Sequence, residues 1–442
     1  MPIAPKRELS LYDSSCIIVG IIIGAGIYQM APDIAKGAFC WWGVLAIWAI
    51  AGLLSLCGAL GYAELATAYP KEGGDYVYLS RAYGSWAGFL FGWGQLAIIR
   101  PGDIAVMAFA FATYARTIYD PFAAHPEHSQ RAFAAAAVVV LTAINIVGVK
   151  EGKWTQNILT TVKALGLLAI VGVAAFGPRS PAPVQPVEAI PISLALVFVL
   201  FCYGGWNEMA YVAAEVKDPR RNIVRALVLG SVAVGVLYLL VNGAFLYTLG
   251  YEGLANSKAV ATDAVSTALN ARLAGRLISV LVCISALGAV SGLIFTGARI
   301  SYAMGAEHRA FRVVGRWNAR TGTPAWALLL QGIIAIALIA ALGSFVDTIL
   351  YTAAPVYSFY LATSLAVIVL RRKEPHVERP YRVTGYPFTT IVFCAVCAFL
   401  IYSTVSYAWN VKPRSLQVLA AVLVAGMILY WLTDLRRPPQ SD

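Results

Sequence analysis

The sequence reads Gly20-Ile-Ile-Ile-Gly24-Ala25-Gly26-Ile27-Tyr28 inside its first long apolar segment. A helix interrupted there frees backbone N–H and C=O groups that hydrocarbon cannot satisfy, so a break is tolerated only beside a cavity or a ligand. A second interruption, Phe201-Cys-Tyr-Gly-Gly-Trp-Asn-Glu208, lies in an apolar segment of the second half of the chain. Interrupted helices at matching places in two halves indicate the central binding site of a membrane transporter.

The composition is that of a protein embedded in a membrane. Of 442 residues, 60% are hydrophobic and only 12% are charged, whereas globular domains carry about 25% charged residues. Apolar runs of roughly 20 residues, the length that spans a bilayer, predict an all-α polytopic protein with 12 transmembrane helices. The predicted segments lie near 14–35, 42–66, 86–118, 132–149, 154–176, 192–215, 226–249, 274–303, 325–342, 346–370, 388–408 and 415–433.

The net charge of +11 is explained by topology. With the N-terminus inside, 22 of the 33 Lys and Arg residues lie in or next to connections on the cytoplasmic side, and nine lie in or next to those on the opposite side. This asymmetry follows the positive-inside rule, so the basic charge does not indicate a nucleic-acid partner. Both termini are predicted to be cytoplasmic, as an even number of helices requires.

The helices divide into two groups of five. The proline-rich stretch 177–186 separates them, and an odd number of crossings in each group reverses its orientation. Within a single domain, 1–442, we therefore predict two inverted repeats, 14–177 and 190–372, followed by two more helices in 386–434.

The residue inventory gives no support for an enzyme, a metal site or a cofactor. The chain has four histidines, and its seven cysteines lie in or beside apolar segments. Cys394 and Cys397 form a C-x-x-C inside a predicted membrane helix, where packing is the expected role.

Several motifs resemble those of the L-type amino acid transporter family, in the amino acid–polyamine–organocation superfamily. The most specific is the run from Phe201 to Asn222. The others are Gly58-Ala-Leu-Gly-Tyr-Ala-Glu-Leu65, Pro70-Lys-Glu-Gly-Gly-Asp-Tyr76, Ile99-Arg-Pro101 and Glu378-Arg-Pro380. The likeness runs from about Leu9 to Arg437. It implies a 5+5 inverted-repeat fold with discontinuous helices 1 and 6, which moves amino acids by alternating access.

The resemblance also implies where an amino acid zwitterion binds. Its carboxylate would meet backbone N–H groups in the first break, at the positive end of a half-helix, and its ammonium would meet carbonyls freed in the second break. Phe201 matches a gating aromatic, and Asn207 matches a residue beside the substrate. The family usually has Ser where this chain has Ala25, which removes one hydroxyl donor. The expected substrate-binding residues are Ile23, Gly24, Ala25, Gly26, Ile27, Phe201, Cys202, Tyr203, Gly204, Asn207 and Glu208.

Two intramembrane charges near this site need partners. One hypothesis is that Glu208 serves the substrate: it contacts the substrate ammonium, selects a polar or cationic side chain, or carries a proton. The other is that Glu208 forms an internal ion pair and has no substrate role. Arg100 lies in the third segment, and Asp103, three residues further along the sequence, is its nearest candidate partner.

Lys163 lies in the middle of the fifth segment, too far from either end to reach water easily. It resembles a family lysine that takes the place of a sodium ion by bridging helices 1, 5 and 8. The resemblance implies sodium-independent coupling. Proton coupling through Lys163 and a purely structural lysine in a wet crevice are the alternatives. Ser285 and Ser291 of the eighth segment are candidates to face it.

Animal members of the family pair with a heavy chain through a cysteine between the third and fourth helices. The connection 119–131 contains no cysteine, so we expect no disulfide-linked heavy chain, and we expect a transporter of a prokaryotic inner membrane. Sodium-independent exchange or uniport of L-amino acids is the leading interpretation. A proton–amino acid symporter and an amino acid sensor are the other two.

Overall fold

The computed structural model describes residues 7–122, 124–179, 186–341, 345–411 and 413–434. Within these ranges the fold is helical, and its only β-type pairings are two isolated bridges, Leu9 with Val216 and Asn318 with Thr323. The helices of the first half are α1 (Leu11–Ile22), α2 (Gly26–Gln29), α3 (Ala31–Lys36), α4 (Trp41–Ala68), α5 (Asp75–Tyr83), α6 (Ser85–Gly94), α7 (Arg100–Ile118), α8 (Pro126–Val147) and α9 (Val149–Phe176). Those of the second half are α10 (Ile192–Cys202), α11 (Glu208–Tyr211), α12 (Pro219–Asn256), α13 (Val260–Ser266), α14 (Ala271–Glu307), α15 (Ala325–Ala341), α16 (Phe345–Lys373), α17 (Phe388–Val411) and α18 (Pro413–Asp434).

Each of the twelve predicted segments coincides with helix, which confirms the all-α polytopic fold. In the part of the chain that is described, ten helical segments are long and apolar enough to cross a membrane, and α10 and α15 are shorter apolar helices. Helix α10 is short because the second predicted break ends it, leaving residues 203–207 between α10 and α11. The first predicted break likewise separates α1 from α2 at residues 23–25.

The start of α1 is fixed by its sequence. Ser10 and Asp13 form a capping box, in which the Ser10 Oγ accepts from the Asp13 N–H at 3.2 Å and the Asp13 Oδ2 accepts from the Ser10 N–H at 2.9 Å. This arrangement satisfies amide groups that the first turn leaves unpaired. Asp13 also accepts a hydrogen bond from Asn157 at 2.7 Å, which joins α1 to α9.

A π-helical turn at Gln95–Ile99 lies between α6 and α7. Pro101, in the first turn of α7, has no N–H to donate to the preceding turn, and a π turn accommodates that missing bond. The turn sets the direction of the side chains that follow it, including Arg100 and Asp103.

The broken helices lie at the centre of the molecule. The windows around α1–α2, α6–α7 and α14 are 78%, 78% and 72% buried, against 6% for the window in α18. The interrupted backbone is therefore surrounded by protein, as polar backbone at membrane depth requires.

Candidate substrate-binding site

The two helix breaks pack directly against each other. A Cβ added at Gly26 would lie 2.8 Å from the Cys202 Sγ, and one added at Gly205 would lie 2.7 Å from the Ile21 side chain. The Tyr238 hydroxyl oxygen lies 2.8 Å from the carbonyl oxygen of Ile22 and 3.3 Å from that of Cys202. Glycine at both breaks permits this approach, and Tyr238 joins the two backbones.

A cavity of about 100 Å³ lies where the breaks meet. Its lining combines backbone of both breaks with side chains of α7, α10, α14 and α16. The lining residues are Ile21, Ile22, Gly24, Gly26, Asp103, Met107, Val197, Leu200, Phe201, Cys202, Gly204, Gly205, Glu208, Ala289, Leu293, Thr352, Ala353, Val356, Tyr357 and Tyr360.

Six of the expected binding residues line this cavity, and five lie behind it. Those in the lining are Gly24, Gly26, Phe201, Cys202, Gly204 and Glu208. The other five, over the described part of the chain, are outside the lining: Ile23, Ala25, Ile27, Tyr203 and Asn207. These five are buried next to the lining without being part of it.

The first break leaves backbone amide groups unpaired, but the Gly24 amide is not one of them. The Gly24 N–H donates to the Ile22 carbonyl at 2.8 Å, so Gly24 is already satisfied within the break. Among the described residues, the N–H groups of Ala25, Gly26 and Ile27 donate to no acceptor. They stand at the beginning of α2, where a helix carries partial positive charge.

The carbonyls of the second break are partly engaged. The Cys202 carbonyl lies 3.3 Å from the Tyr238 hydroxyl, and the Tyr203 carbonyl accepts from the Ser55 Oγ at 3.3 Å. The Gly204 carbonyl accepts no hydrogen bond from the residues that the structure describes. A carbonyl oxygen has two lone pairs, so Gly204 offers a full acceptor and Cys202 offers a second one.

Glu208 forms a buried ion pair with Arg100. The Arg100 Nη1 lies 2.9 Å from the Glu208 Oε1, and both side chains are at most 5% exposed. The Thr296 Oγ1 donates to the other carboxylate oxygen. Asp103 as the partner of Arg100 is therefore wrong. A pair three residues apart on one helix is possible, but the Arg100 guanidinium contacts Glu208 on α11 instead.

Asp103 instead lines the cavity. Its carboxylate makes no hydrogen bond and no ion pair with any residue that the structure describes. We missed this role because we assigned Asp103 to Arg100. The available signal was the count of charges: two intramembrane carboxylates, Asp103 and Glu208, compete for one nearby arginine.

Asn207 holds the second break to its neighbours. Its Nδ2 donates to the Tyr211 hydroxyl at 2.8 Å, and its Oδ1 accepts from the Tyr360 hydroxyl at 2.8 Å. Tyr211 in turn donates to the Asp75 carboxylate at 2.8 Å. Both amide atoms are thus used within the protein, and Asn207 acts on the cavity through Tyr360, which lines it.

Lys163 bridges α1, α9 and α14, as the sequence predicted. Its ammonium donates to the carbonyls of Gly20, of Ile23 at 2.8 Å and of Ser285 at 3.3 Å. The Ser285 hydroxyl lies 3.1 Å from the carbonyls of both Ile23 and Gly24. Ser291 makes no such contact. The ammonium is therefore bound by oxygens immediately behind the first break.

Comparison with known proteins gives one consistent result. The family model described as "Amino acid permease" matches residues 9–433. The chain is similar to the "b(0,+)-type amino acid transporter 1" of Mus musculus, with 30% identity over 98% of this chain and 91% of the relative. It is 32% identical to the Rattus norvegicus protein of the same name, over 97% of this chain and 88% of the relative. It is also 30% identical to the "Large neutral amino acids transporter small subunit 2" of Homo sapiens, over 97% of this chain and 81% of the relative.

Proposed function

The chain belongs to the amino acid permease family, and from that premise we propose that it is a secondary transporter of L-amino acids. It works by alternating access, as a sodium-independent exchanger or uniporter. The observation that carries this proposal is the meeting of two broken helices around one cavity. Its lining includes Gly26, whose N–H is unpaired among the described residues, and Gly204, whose carbonyl is likewise unpaired. This is the complementary pair of sites that a zwitterion needs.

The substrate carboxylate binds the N–H groups of Ala25, Gly26 and Ile27. The substrate ammonium binds the Gly204 carbonyl and the second lone pair of the Cys202 carbonyl. Phe201, in the lining between them, covers the bound amino acid. These contacts use backbone alone, so they suit every L-amino acid and leave selection to the rest of the cavity.

Lys163 takes the place of a coupling cation. Its contacts with the carbonyls of Gly20, Ile23 and Ser285 give it the oxygen-rich surroundings that a sodium ion would need between α1 and α14. An ammonium at this position occupies the site that sodium would enter, which supports sodium independence.

Counterflow in proteoliposomes tests this function. Purified protein is reconstituted and preloaded with one amino acid at a time, and labelled uptake is measured in sodium and in choline buffer. We expect exchange of at least one class of amino acid at the same rate in both buffers. Loss of exchange in choline would overturn the role of Lys163, and no exchange with any amino acid would overturn transport.

A proton–amino acid symporter is the second candidate, and one observation favours it. The Lys163 ammonium donates to three backbone carbonyls, and no carboxylate of the described residues pairs with it. Its proton can leave without breaking an ion pair. The same liposomes with an imposed inward proton gradient test this candidate, because a symporter would accumulate substrate without a preloaded partner and Lys163→Gln would abolish that accumulation.

We also propose that the chain acts without a disulfide-linked heavy chain, in a prokaryotic inner membrane with both termini in the cytoplasm. One relative is by its name a small subunit, so this point needs its own test. The support for it is that no cysteine lies in 119–131. Exchange by the purified chain alone would support the proposal, and activity that appears only with a disulfide-linked second protein would contradict it.

A further inference from the structure

Asp103 places an uncompensated negative charge in the cavity. It lies on α7 and lines the cavity, yet no donor or cation among the described residues contacts its carboxylate. A carboxylate charge that is partly removed from water without a partner is costly. A proton, or a cation that enters the cavity, is therefore expected to offset the charge of Asp103.

The charges around the cavity do not sum to zero. Glu208 and Asp103 are the two carboxylates of the lining. Arg100 is the cation nearest to them, and it is bound to Glu208 at 2.9 Å. Lys163 lies on the other side of the first break, held by the Gly20 and Ile23 carbonyls and outside the lining. The cavity wall is thus left with the charge of Asp103.

A substrate zwitterion cannot remove that charge, because its own ammonium and carboxylate cancel. The rest of the lining includes Met107, Leu293, Ala353 and Val356, none of which carries charge. A compensating cation has to come from a third ionised group, on the side chain of the substrate.

The position of Asp103 suits such a group. A Cβ added at Gly24 would lie 3.0 Å from the Met107 Sδ, so Met107 lies against the first break. Asp103 is one helical turn before Met107 on the same face of α7, a displacement of roughly 6 Å along the axis. This displacement is comparable with the length of an extended lysine or arginine side chain.

We infer that the cavity selects amino acids with a cationic side chain, whose ammonium or guanidinium pairs with Asp103. This inference rests on the proposed function, because it assumes that the α-ammonium and carboxylate bind the helix breaks. A neutral side chain of the same length leaves Asp103 unpaired, and an acidic one adds repulsion. Substrates without a cationic side chain are therefore disfavoured, because they leave the charge of the Asp103 carboxylate unpaired.

The test is counterflow with lysine and norleucine, which differ by the terminal amine. In the unaltered protein we expect lysine to compete for labelled lysine at least tenfold better than norleucine does. Asp103→Asn should reduce the ratio of lysine to norleucine exchange by at least tenfold, and Asp103→Glu should restore most of it. Asp33→Asn is the matched control, because Asp33 pairs with Lys36 outside the cavity, and this change should leave the ratio as it is.

The outcomes separate the two proposals. Exchange of neutral amino acids with no preference for lysine would overturn the pairing with Asp103 and leave the proposed function standing. If Asp103→Asn reduced lysine and norleucine exchange equally, the proposed pairing would also be overturned, because a carboxylate with a purely structural role would affect both substrates alike. Absence of exchange with every amino acid would overturn the proposed function itself. Should Asp103→Asn fail to fold, the competition in the unaltered protein decides.

Discussion

At the scale of single residues, two independent features require glycine at position 205. Its φ of +114° lies in a region that residues with a side chain rarely adopt, and a Cβ would lie 2.7 Å from Ile21, in the last turn of α1 before the other break. Gly205→Ala therefore has to move the two breaks apart. We expect it to abolish exchange and to lower the thermal unfolding midpoint in detergent.

Gly235 provides the matched control for this substitution. It lies within α12, and a Cβ added there would meet nothing within 4 Å. Alanine is preferred over glycine inside a helix by about 1 kcal/mol, so Gly235→Ala should keep exchange and unfold no earlier than the unaltered protein. Full exchange by Gly205→Ala would contradict the close packing of the breaks.

Among the elements, α7 and α11 are joined through the Arg100–Glu208 pair. Glu208→Gln leaves a buried guanidinium without its counter-ion, and Arg100→Met leaves a buried carboxylate. Breaking a buried pair in this way costs about 3 to 5 kcal/mol, whereas removing both charges together costs far less. We expect each single variant to unfold at markedly lower temperature and the double variant to recover most of the loss.

The same double variant separates the two interpretations of Glu208. Recovery of both stability and exchange would identify Glu208 as the counter-ion of Arg100 alone. Recovery of stability without exchange would identify a substrate contact. A double variant as unstable as the sum of the two singles would mean that the pair contributes no coupling, which would contradict the geometry.

Helix α5, which connects the second and third segments outside the membrane spans, is joined to α11 through the Asp75–Tyr211 hydrogen bond. Burial raises the pKa of Asp75 to about 6, while hydrogen bonds from Thr363 and Tyr211 oppose that rise. Because the folded-state pKa lies above that of an exposed carboxyl, the charged form of Asp75 opposes folding as the pH rises through about 6. Tyr211→Phe removes one donor to that charged form. We expect a loss of about 1 to 3 kcal/mol at pH 7.5 and a smaller loss at pH 5.

Tyr83→Phe is the control for this pH dependence. The Tyr83 hydroxyl donates to the Ala362 carbonyl at 2.9 Å, an acceptor that does not titrate in this range. Its loss should therefore be the same at both pH values. An equally pH-independent loss for Tyr211→Phe would mean that Asp75 does not change its charge between pH 5 and 7.5.

For the whole molecule, properties local to the sequence were predictable and long-range contacts were not. Hydropathy located all twelve helical segments, and glycines located both breaks. The partner of Arg100 lies 108 residues away, and nothing in the spacing of charges identifies it. The same limit concealed the exposure of Asp103 to the cavity, because it follows from how α1, α7 and α11 meet. The hydrogen bond from the Gly24 N–H to the Ile22 carbonyl is local, but it depends on the exact backbone angles of the break, which the glycines do not specify. The inverted repeats 14–177 and 190–372 stay a prediction.

The orientation of the molecule in the membrane is the last prediction. The excess of Lys and Arg on one side, 22 of 33, should hold that side in the cytoplasm, because translocating basic connections is unfavourable. Two fusion reporters show on which side of the membrane a given residue lies. Alkaline phosphatase is active only outside the cytoplasm, and green fluorescent protein becomes fluorescent inside it. Phosphatase should be active after residue 186, in the proline-rich connection, and inactive after Lys373, where fluorescence should appear. Green fluorescence at 186 together with phosphatase activity at 373 would reverse the assignment. It would also put the Asp75–Tyr211 contact on the outside, where the pH dependence of Tyr211→Phe would respond to the external medium.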